Sequence, residues 1–219
     1  MYNNCMDTEK GYLLIVEDTL DILNLLETTL KLKGYQVVTA MNGNEGLEAI
    51  QKARPAIVIA DIMMPKLDGF GFVHRIRLNP ETRDIPVVFI TATYVSLGDR
   101  EFAANIGATR FIQKPIDLER FLTTIEEILV QDEPVAFDPP NEFKFYQGYR
   151  ERLEEKLEQK NAQIARDESL IRSKTDTGKL SLQTSLHHAI TEREELKYLL
   201  DQVDKQMKKI DQTEQTAND

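Results

Sequence analysis

The sequence predicts an α/β fold, a doubly wound (βα)5 parallel sheet, followed by an all-α helical hairpin or coiled coil. Three observations support this fold class. Short apolar runs alternate with segments of helical periodicity over residues 10–130, a proline-rich stretch follows, and the remainder is rich in Glu, Lys, Gln and Leu. Strands of a parallel sheet are covered by helices on both faces and are therefore almost continuously apolar. Five such runs alternating with five helical segments indicate a doubly wound sheet.

Each apolar run predicts a strand, and each segment between the runs predicts a helix. The strands are expected at residues 12–16, 35–40, 56–60, 86–92 and 110–113. Apolar residues recur at spacings of three and four at residues 19–34, 44–53, 70–78, 99–107 and 117–129. Gly34 ends the first helical segment, as a C-terminal cap should. Ligands of such a sheet bind beyond the carboxyl ends of the strands, so functional side chains are expected there.

Changes in composition divide the chain into domains. We assign residues 10–130 to the α/β domain. Residues 131–143 contain three prolines and are predicted to be an extended linker, because proline lacks an amide donor and disfavours helix in the residue before it. Residues 144–212 are predicted to form a helical hairpin or coiled coil used for output or dimerisation, and residues 213–219 a disordered tail.

The second helical arm contains a heptad seam. Its positions alternate spacings of four and three over four repeats, and Arg193 is the one polar residue among them. The apolar positions are Leu182, Leu186, Ala189, Leu196, Leu200, Val203, Met207 and Ile210. Ile190 and Leu199 widen this apolar face, which favours a bundle over a two-stranded coiled coil. Turn-forming residues around Gly178 separate the two arms. A hairpin is the main prediction, and a single kinked helix is the alternative.

Composition and charge exclude several classes of protein. The net charge of −10 argues against a nucleic-acid-binding protein. The charge is uneven, since residues 1–140 hold 13 Lys and Arg against 21 Asp and Glu, whereas residues 141–219 hold 14 against 16. No apolar run is long enough to cross a bilayer, and the N-terminus lacks the features of a secretory signal. A single cysteine, Cys5, allows no internal disulfide and fits the cytoplasm, where we expect the protein.

Three carboxylates follow neighbouring strands of the predicted sheet. Asp61 follows the third strand, and Glu17 and Asp18 follow the first. Strands one and three are neighbours at the switch point of a doubly wound sheet, so these side chains should converge. Such a cluster is electrostatically costly without a divalent cation, and oxygen ligands suit Mg²⁺. A carboxylate beside Mg²⁺ is suited to accept a phosphoryl group.

The fourth and fifth strands add a hydroxyl and a cation to this edge. Thr91 lies at the end of the fourth strand and Lys114 at the end of the fifth. A hydroxyl donor and an ammonium group are what the oxygens of an acyl phosphate require. Together with the carboxylates, these residue types predict a site for phosphoryl transfer onto Asp61.

With these motifs in this order, residues 12–130 resemble the receiver domain of two-component response regulators. The acid pair Glu17–Asp18 and the segment "DIMMPKLDG" that begins at Asp61 carry the resemblance. It implies the flavodoxin-like strand order 2-1-3-4-5. It also implies that Asp61 takes a phosphoryl group from a sensor histidine kinase or a phosphotransfer protein. Asp18, Asp61 and the backbone carbonyl of Met63 would hold Mg²⁺, with Glu17 contributing through water.

The resemblance also implies a conformational switch. Thr91 resembles the switch hydroxyl of the family, and Phe111 its switch aromatic. The Lys114–Pro115 bond is expected to be cis. The sequence departs from the common pattern at Glu17, where Asp is commoner, and at Phe111, where many members have Tyr. Metal binding is expected to survive the first change, and the second is expected to alter only the readout.

Three outputs are considered for this switch. The first is protein–protein contact through the receiver surface and residues 144–212, which would form a homodimer or dock a partner protein. The second is transcriptional control with an atypical helical output, and the third is an adaptor that regulates a kinase or cyclase in trans. The chain itself is expected not to be an enzyme. His74 is expected at the surface, and His187 and His188 are expected to face solvent.

Overall fold

The structure is a computed structural model, and it describes residues 11–91, 97–130, 141–173 and 179–217. The chain divides into two compact units, Met1–Pro140 and Asn141–Asp219. Most of the predicted linker, the predicted turn at residues 174–178 and the last two residues lie outside the described residues, as does Cys5.

The first unit contains a five-stranded parallel sheet. Its strand order is β2-β1-β3-β4-β5, which confirms the predicted fold class and strand order. The strands are β1 (Leu13–Val16), β2 (Val37–Ala40), β3 (Ile57–Asp61), β4 (Val87–Thr91) and β5 (Arg110–Gln113). Strands β1 and β3 are adjacent, and Val16 pairs with Ala60. The ends of β1 and β3 therefore lie side by side, as the carboxylate prediction required.

In the described part of the first unit, five helices connect and cover the strands, close to the predicted segments. They are α1 (Leu20–Leu32), α2 (Gly43–Lys52), α3 (Gly69–Leu78), α4 (Leu97–Asn105) and α5 (Leu118–Val130). Gly34 follows α1 with a φ of 88°, and its N–H donates to the carbonyl oxygen of Lys31 at 2.9 Å. This conformation favours glycine, which explains why the helix ends here. The N-caps of α2 and α3 are the side chains of Asn42 and Asp68.

The sheet is buried on both faces. All residues of β1, β3 and β4 are buried, whereas β2 at the edge is only partly covered. On one face, leucines of α1 and apolar residues of α5 pack on the central strands: Leu23, Leu26, Leu30, Phe121, Ile125 and Ile128. This burial holds the central strands firmly, and it therefore fixes where their carboxyl ends lie.

The prediction for His74 is wrong. The residue lies in α3 with 2% of its surface exposed, because it faces the same side of the helix as the buried Phe70 and Arg77. The guanidinium of Arg77 donates to the carbonyl oxygens of Ile85 at 2.9 Å and Gly107 at 2.7 Å. Because histidine and arginine are more often exposed, the sequence gave no sign that this side of α3 would be buried.

The second unit is a pair of long helices that pack together, α6 (Glu142–Ser173) and α7 (Lys179–Ala217). Ion pairs join Arg150 to Asp204 and Lys160 to Glu192. The residue number falls in α7 as it rises in α6, so the helices are antiparallel. This arrangement agrees with the predicted hairpin and not with one kinked helix. A disordered tail was predicted from residue 213, whereas α7 continues to Ala217 in the structure.

None of the helices in the described part of the chain is both long and apolar enough to cross a membrane.

Candidate functional site

The site lies where β1 and β3 end. Glu17 and Asp18 directly follow β1, and Asp61 is the last residue of β3. One carboxylate oxygen from each of the three side chains lies within 4.8 Å of the others. The structure therefore brings together the three carboxylates that the sequence predicted would converge.

Lys114, one residue after β5, bridges two of these carboxylates. Its Nζ lies 2.7 Å from Oε2 of Glu17 and 2.9 Å from Oδ1 of Asp61. Glu17 is only 1% exposed and Asp61 only 6%. Ion pairs shielded from water in this way are much less screened by salt than surface pairs are. Lys114 thus fixes two carboxylates that solvent hardly reaches.

Burial changes the proton affinity of the site. Desolvation raises the pKa of Asp61 to about 6; the charge of Glu17 acts in the same direction, and Lys114 opposes it. Desolvation and the neighbouring Glu17 also raise the pKa of Asp18. For Lys114, burial opposes the charged form, but Asp61 and Glu17 outweigh it and raise the pKa of the ammonium. The site therefore stabilises the positive charge of Lys114 and raises the proton affinity of Asp18 and Asp61.

The residues present fit a divalent metal ion. Three ionised carboxylates and one lysine leave a net charge of −2 at the cluster. All of the ligand atoms are oxygens, which suits Mg²⁺ better than a softer metal. Glu17, Asp18 and Asp61 are thus placed to hold the ion. Met63, whose backbone carbonyl was expected to complete the set, lies two residues after Asp61, and its N–H donates to Oδ2 of Asp61 at 2.8 Å.

The loop after β3 keeps the backbone close to Asp61. The N–H of Leu67 donates to the carbonyl oxygen of Pro65 at 2.8 Å, which closes a γ-turn around Lys66. Lys66 has a φ of 67°, which is unusual for a residue with a Cβ atom. At Gly69 a Cβ atom would lie 2.3 Å from the carbonyl oxygen of Asp61. Only glycine lets α3 start this close to Asp61.

Thr91 and Phe111 lie on the neighbouring strands. Thr91 is buried at the end of β4, and its preceding residue Ile90 pairs with Asp61. Phe111 in β5 is partly buried, and its ring centroid lies 5.8 Å from that of Phe89. The guanidinium carbon of Arg100 in α4 lies 5.9 Å from the centroid of the Phe111 ring. Both predicted switch residues are therefore on strands that end beside the carboxylate cluster.

Two features of the site were not predicted. Lys66 gives no signal in the sequence, because a lysine does not indicate a positive φ. The contact of Arg100 with Phe111 depends on how α4 packs on β5, which spacing along the chain does not specify. The Lys114–Pro115 bond is cis, as the resemblance implied.

Curated proteins resemble this chain over part of its length. The curated relative "Probable transcriptional regulator ycf27" of Pyropia yezoensis is 36% identical over 57% of this chain and 49% of its own length. "Uncharacterized transcriptional regulatory protein YkoG" of Bacillus subtilis is 36% identical over 57% of this chain and 53% of its own. The chain thus spans about half the length of these curated relatives.

A solved structure shows the same fold as the first unit. The chemotaxis protein CheY4 of Vibrio cholerae is 32% identical, with a TM-score of 0.51, and the match covers 54% of this chain and 98% of that protein. The family model of the response regulator receiver domain matches residues 13–126, which is more than half of the chain. This match and the carboxylate edge agree: the chain belongs to the response regulator receiver domain family.

Proposed function

We propose that Asp61 accepts a phosphoryl group from the phosphohistidine of a sensor histidine kinase or a phosphotransfer protein. One observation carries this proposal. The carboxylate of Asp61 is held at a strand end, 2.9 Å from Lys114 and within 4.8 Å of oxygens of Glu17 and Asp18. A nucleophile that is fixed in place beside a cation and a metal-binding oxygen set has the parts that phosphoryl transfer needs.

In the proposed reaction, a carboxylate oxygen of Asp61 attacks phosphorus. A P–O bond forms, the P–N bond to the donor imidazole breaks, and its electron pair stays on that nitrogen; because the donor ring carries a proton on its other nitrogen, it leaves as neutral imidazole. The N–H of Met63 and the ammonium of Lys114 hold the two oxygens of the carboxylate before the attack. The ammonium of Lys114 would also donate a hydrogen bond to a negative phosphoryl oxygen, in place of part of its present ion pairing.

Glu17, Asp18 and Asp61 would hold Mg²⁺, together with the carbonyl of Met63, and Glu17 would contribute through water. When bound, the ion supplies positive charge to the oxygens of the phosphoryl group. The residues around the cluster exclude most of the bulk water, as the burial of Glu17 and Asp61 shows. This burial strengthens the electrostatic interactions inside the site.

Phosphorylation adds roughly one to two negative charges beside Thr91. The Thr91 hydroxyl would move toward the new phosphoryl oxygens, and Phe111 would turn inward into the space it leaves. The side chains around α4 and β5 would change their exposure as a result. This two-state element would convert a local charge into a change of surface.

The proposed output is contact with other proteins through the receiver surface and through α6 and α7. In this proposal the chain is a phosphoacceptor and not an enzyme, apart from slow loss of its own phosphate. Adaptor action on a kinase or cyclase in trans is one form that such contact could take.

Intact mass spectrometry tests the proposal. Incubation of the full chain with Mg²⁺ and acetyl phosphate should add one phosphoryl group, and Asp61→Asn should abolish the addition. Asp84→Asn is the matched control, because Asp84 pairs with Arg54 on the surface and lies outside the cluster. Persistent phosphorylation of the Asp61→Asn protein would show that a different residue is the acceptor.

Transcriptional control is a second candidate, supported by the names of the curated relatives. A DNA-binding output would be expected to contain a compact helix-turn-helix with a basic face. The residues described in the second unit, 141–173 and 179–217, instead form two helices of 32 and 39 residues. Residues 141–219 hold 14 Lys and Arg against 16 Asp and Glu. Binding of the full chain to random duplex DNA at physiological salt would favour this candidate over protein contact.

A further inference from the structure

The two helices of the second unit bury only part of their apolar surface in each other. Among the α7 side chains that the structure describes, residues 180–212, the buried ones form a single row at a spacing of seven, Ala189, Leu196 and Val203. Opposite this row, α6 buries Tyr149, Leu153 and Ile164. Positions on either side of the α7 row lie at the edges of the hairpin, where a second pair of helices could cover them.

The two sides of the α7 row differ in chemistry. One flank consists of the positions that lie one after, three before or four after a row residue. Four apolar side chains on this flank remain partly exposed: Leu186, Ile190, Leu200 and Met207. On the other side lie mainly polar residues: Ser185, His188, Glu192, Glu195, Gln202 and Gln206. The helix therefore has an apolar flank and a polar flank.

Ion pairs between the helices show which side of α6 lies next to each flank of α7. Asp204, on the apolar flank of α7, pairs with Arg150 at 2.9 Å, whereas Glu192, on the polar flank, pairs with Lys160. Tyr146 precedes Arg150 by one helical turn and Leu157 follows it by two, so both share its side of α6, and both are partly exposed. We name as the apolar edge the partly exposed residues Tyr146, Leu157, Leu186, Ile190, Leu200 and Met207.

The charges along the apolar edge differ between the two helices. Arg193 and Lys197 lie on the α7 side, and Glu154 lies on the α6 side, one turn after Arg150. The register set by the Arg150–Asp204 and Lys160–Glu192 pairs places Lys197 at the level of the α6 turn that follows Glu154. Apart from the paired Arg150 and Asp204, the edge is therefore basic on α7 and acidic on α6 over this stretch.

We infer that a second copy of this chain covers the apolar edge, so that two hairpins form an antiparallel four-helix bundle. Each α7 would pack against α6 of the other copy, with the two-fold axis parallel to the helices. This pairing brings Lys197 of one copy to Glu154 of the other and avoids facing Arg193 with itself. It deepens the proposed readout through α6 and α7, on which it rests, by naming the partner.

Sedimentation equilibrium of the full chain tests the inference with two adjacent leucines. Leu200 belongs to the apolar edge and Leu199 to the polar flank, and both are partly exposed. The wild-type protein should be a dimer. Leu200→Glu should raise the dissociation constant by roughly a hundredfold, because it buries a charge in the interface, and Leu199→Glu should change it by less than about threefold. A monomeric wild type, or equal loss of the dimer in both variants, would overturn the inference.

Charge reversal identifies the contact itself. Lys197→Glu alone and Glu154→Lys alone should each weaken self-association, because each places like charges across both interfaces. Mixing the two variant proteins should restore dimers, since every contact between them is then of opposite charge. If the charges met only within one chain, mixing would restore nothing and the inference would fail. Intact mass spectrometry of the same samples shows whether Asp61 is phosphorylated. A failure to dimerise can therefore be distinguished from a failure of the proposed phosphoacceptor function.

Discussion

The ammonium of Lys114 lies 2.7 Å from Oε2 of Glu17, a contact that joins the end of β5 to the end of β1. Glu17 is almost fully buried, so its charge is not compensated by water. Among the described residues, the ion pairs of Glu17 and Asp61 are both with Lys114. The stability of the carboxylate cluster should therefore depend on this lysine and on any metal ion that binds beside it.

Lys114→Met should lower the free energy of unfolding by about 3 kcal/mol, because removal of one partner leaves buried charge unpaired. Added Mg²⁺ should restore more stability to this variant than it adds to the wild type, since the ion replaces part of the missing positive charge. Urea unfolding with and without Mg²⁺ measures both effects. Lys52→Met, at an exposed position of α2, is the control and should unfold like the wild type. An equal response to Mg²⁺ in variant and wild type would contradict this account.

Gly69→Ala should impair the site directly. Its Cβ atom would lie 2.3 Å from the carbonyl oxygen of Asp61 and 2.8 Å from Cα of Ile62, and neither backbone atom can rotate away. We expect a loss of about 1–3 kcal/mol of stability and slower phosphorylation by acetyl phosphate, because Asp61 must shift. Gly71→Ala, at a partly exposed position two residues later in α3, should leave the phosphorylation rate near that of the wild type. Wild-type rates for Gly69→Ala would show that the acceptor tolerates this displacement.

Arg100→Leu should favour the switched conformation. Arg100 lies over the ring of Phe111, and the proposed inward turn of the ring would break this contact. A cation–π contact at an exposed site contributes about 0.5–1 kcal/mol, so its removal should raise the affinity for beryllofluoride about two- to fivefold. Titration of the full chain with beryllofluoride in the presence of Mg²⁺ measures this affinity. Arg110→Leu, which changes an exposed arginine beside Phe111, is the control. Weaker binding by Arg100→Leu would mean that Arg100 supports the phosphorylated conformation instead.

His74 should make the protein less stable in acid. Burial lowers the pKa of its imidazole to about 4, and the nearby Arg75 acts in the same direction. Between about pH 6.5 and pH 4 the unfolded chain binds a proton that the folded protein does not. The stability due to neutral His74 is therefore full above pH 6.5 and falls as the pH is lowered, by at most about 3 kcal/mol.

The pH dependence is best measured in the Asp61→Asn protein, because the raised pKa of Asp61 gives a slope of the opposite sign in part of this range. In that protein, His74→Leu should flatten the curve of unfolding free energy against pH. His187→Gln, at an exposed position of α7, should leave the curve unchanged. A curve that keeps its slope in the His74→Leu variant would assign the acid sensitivity to other groups.

The sequence predicted those parts of the molecule that depend on local pattern and chain order. Apolar runs located all five strands, and the residue at each strand end identified the cluster around Asp61 before any distance was known. This worked because the carboxyl ends of parallel strands meet at one edge, so position along the chain translates into position in space. The resemblance to a known family supplied the order of the strands and the switch residues.

Features that depend on side-chain packing were not predictable in this way. Nothing in the sequence distinguishes the buried His74 from a surface histidine, since its burial depends on what lies over α3. The same limit applies to the hairpin. The heptad seam identified which residues of α7 are apolar, but only the ion pairs Arg150–Asp204 and Lys160–Glu192 show which of them face α6 and which remain at the edge.

The near-inaccessible charge of Glu17 has a consequence for how tightly the domain holds together. Three carboxylates carry more negative charge than Lys114 can balance, so a cation that binds among them should stabilise the fold by an amount that grows with the logarithm of its concentration. The stability of the fold and the fraction of sites that hold the metal ion would then rise together. Amide hydrogens near the ends of β1 and β3 would exchange more slowly as magnesium is supplied. The stability of the unphosphorylated domain would therefore depend on the magnesium concentration.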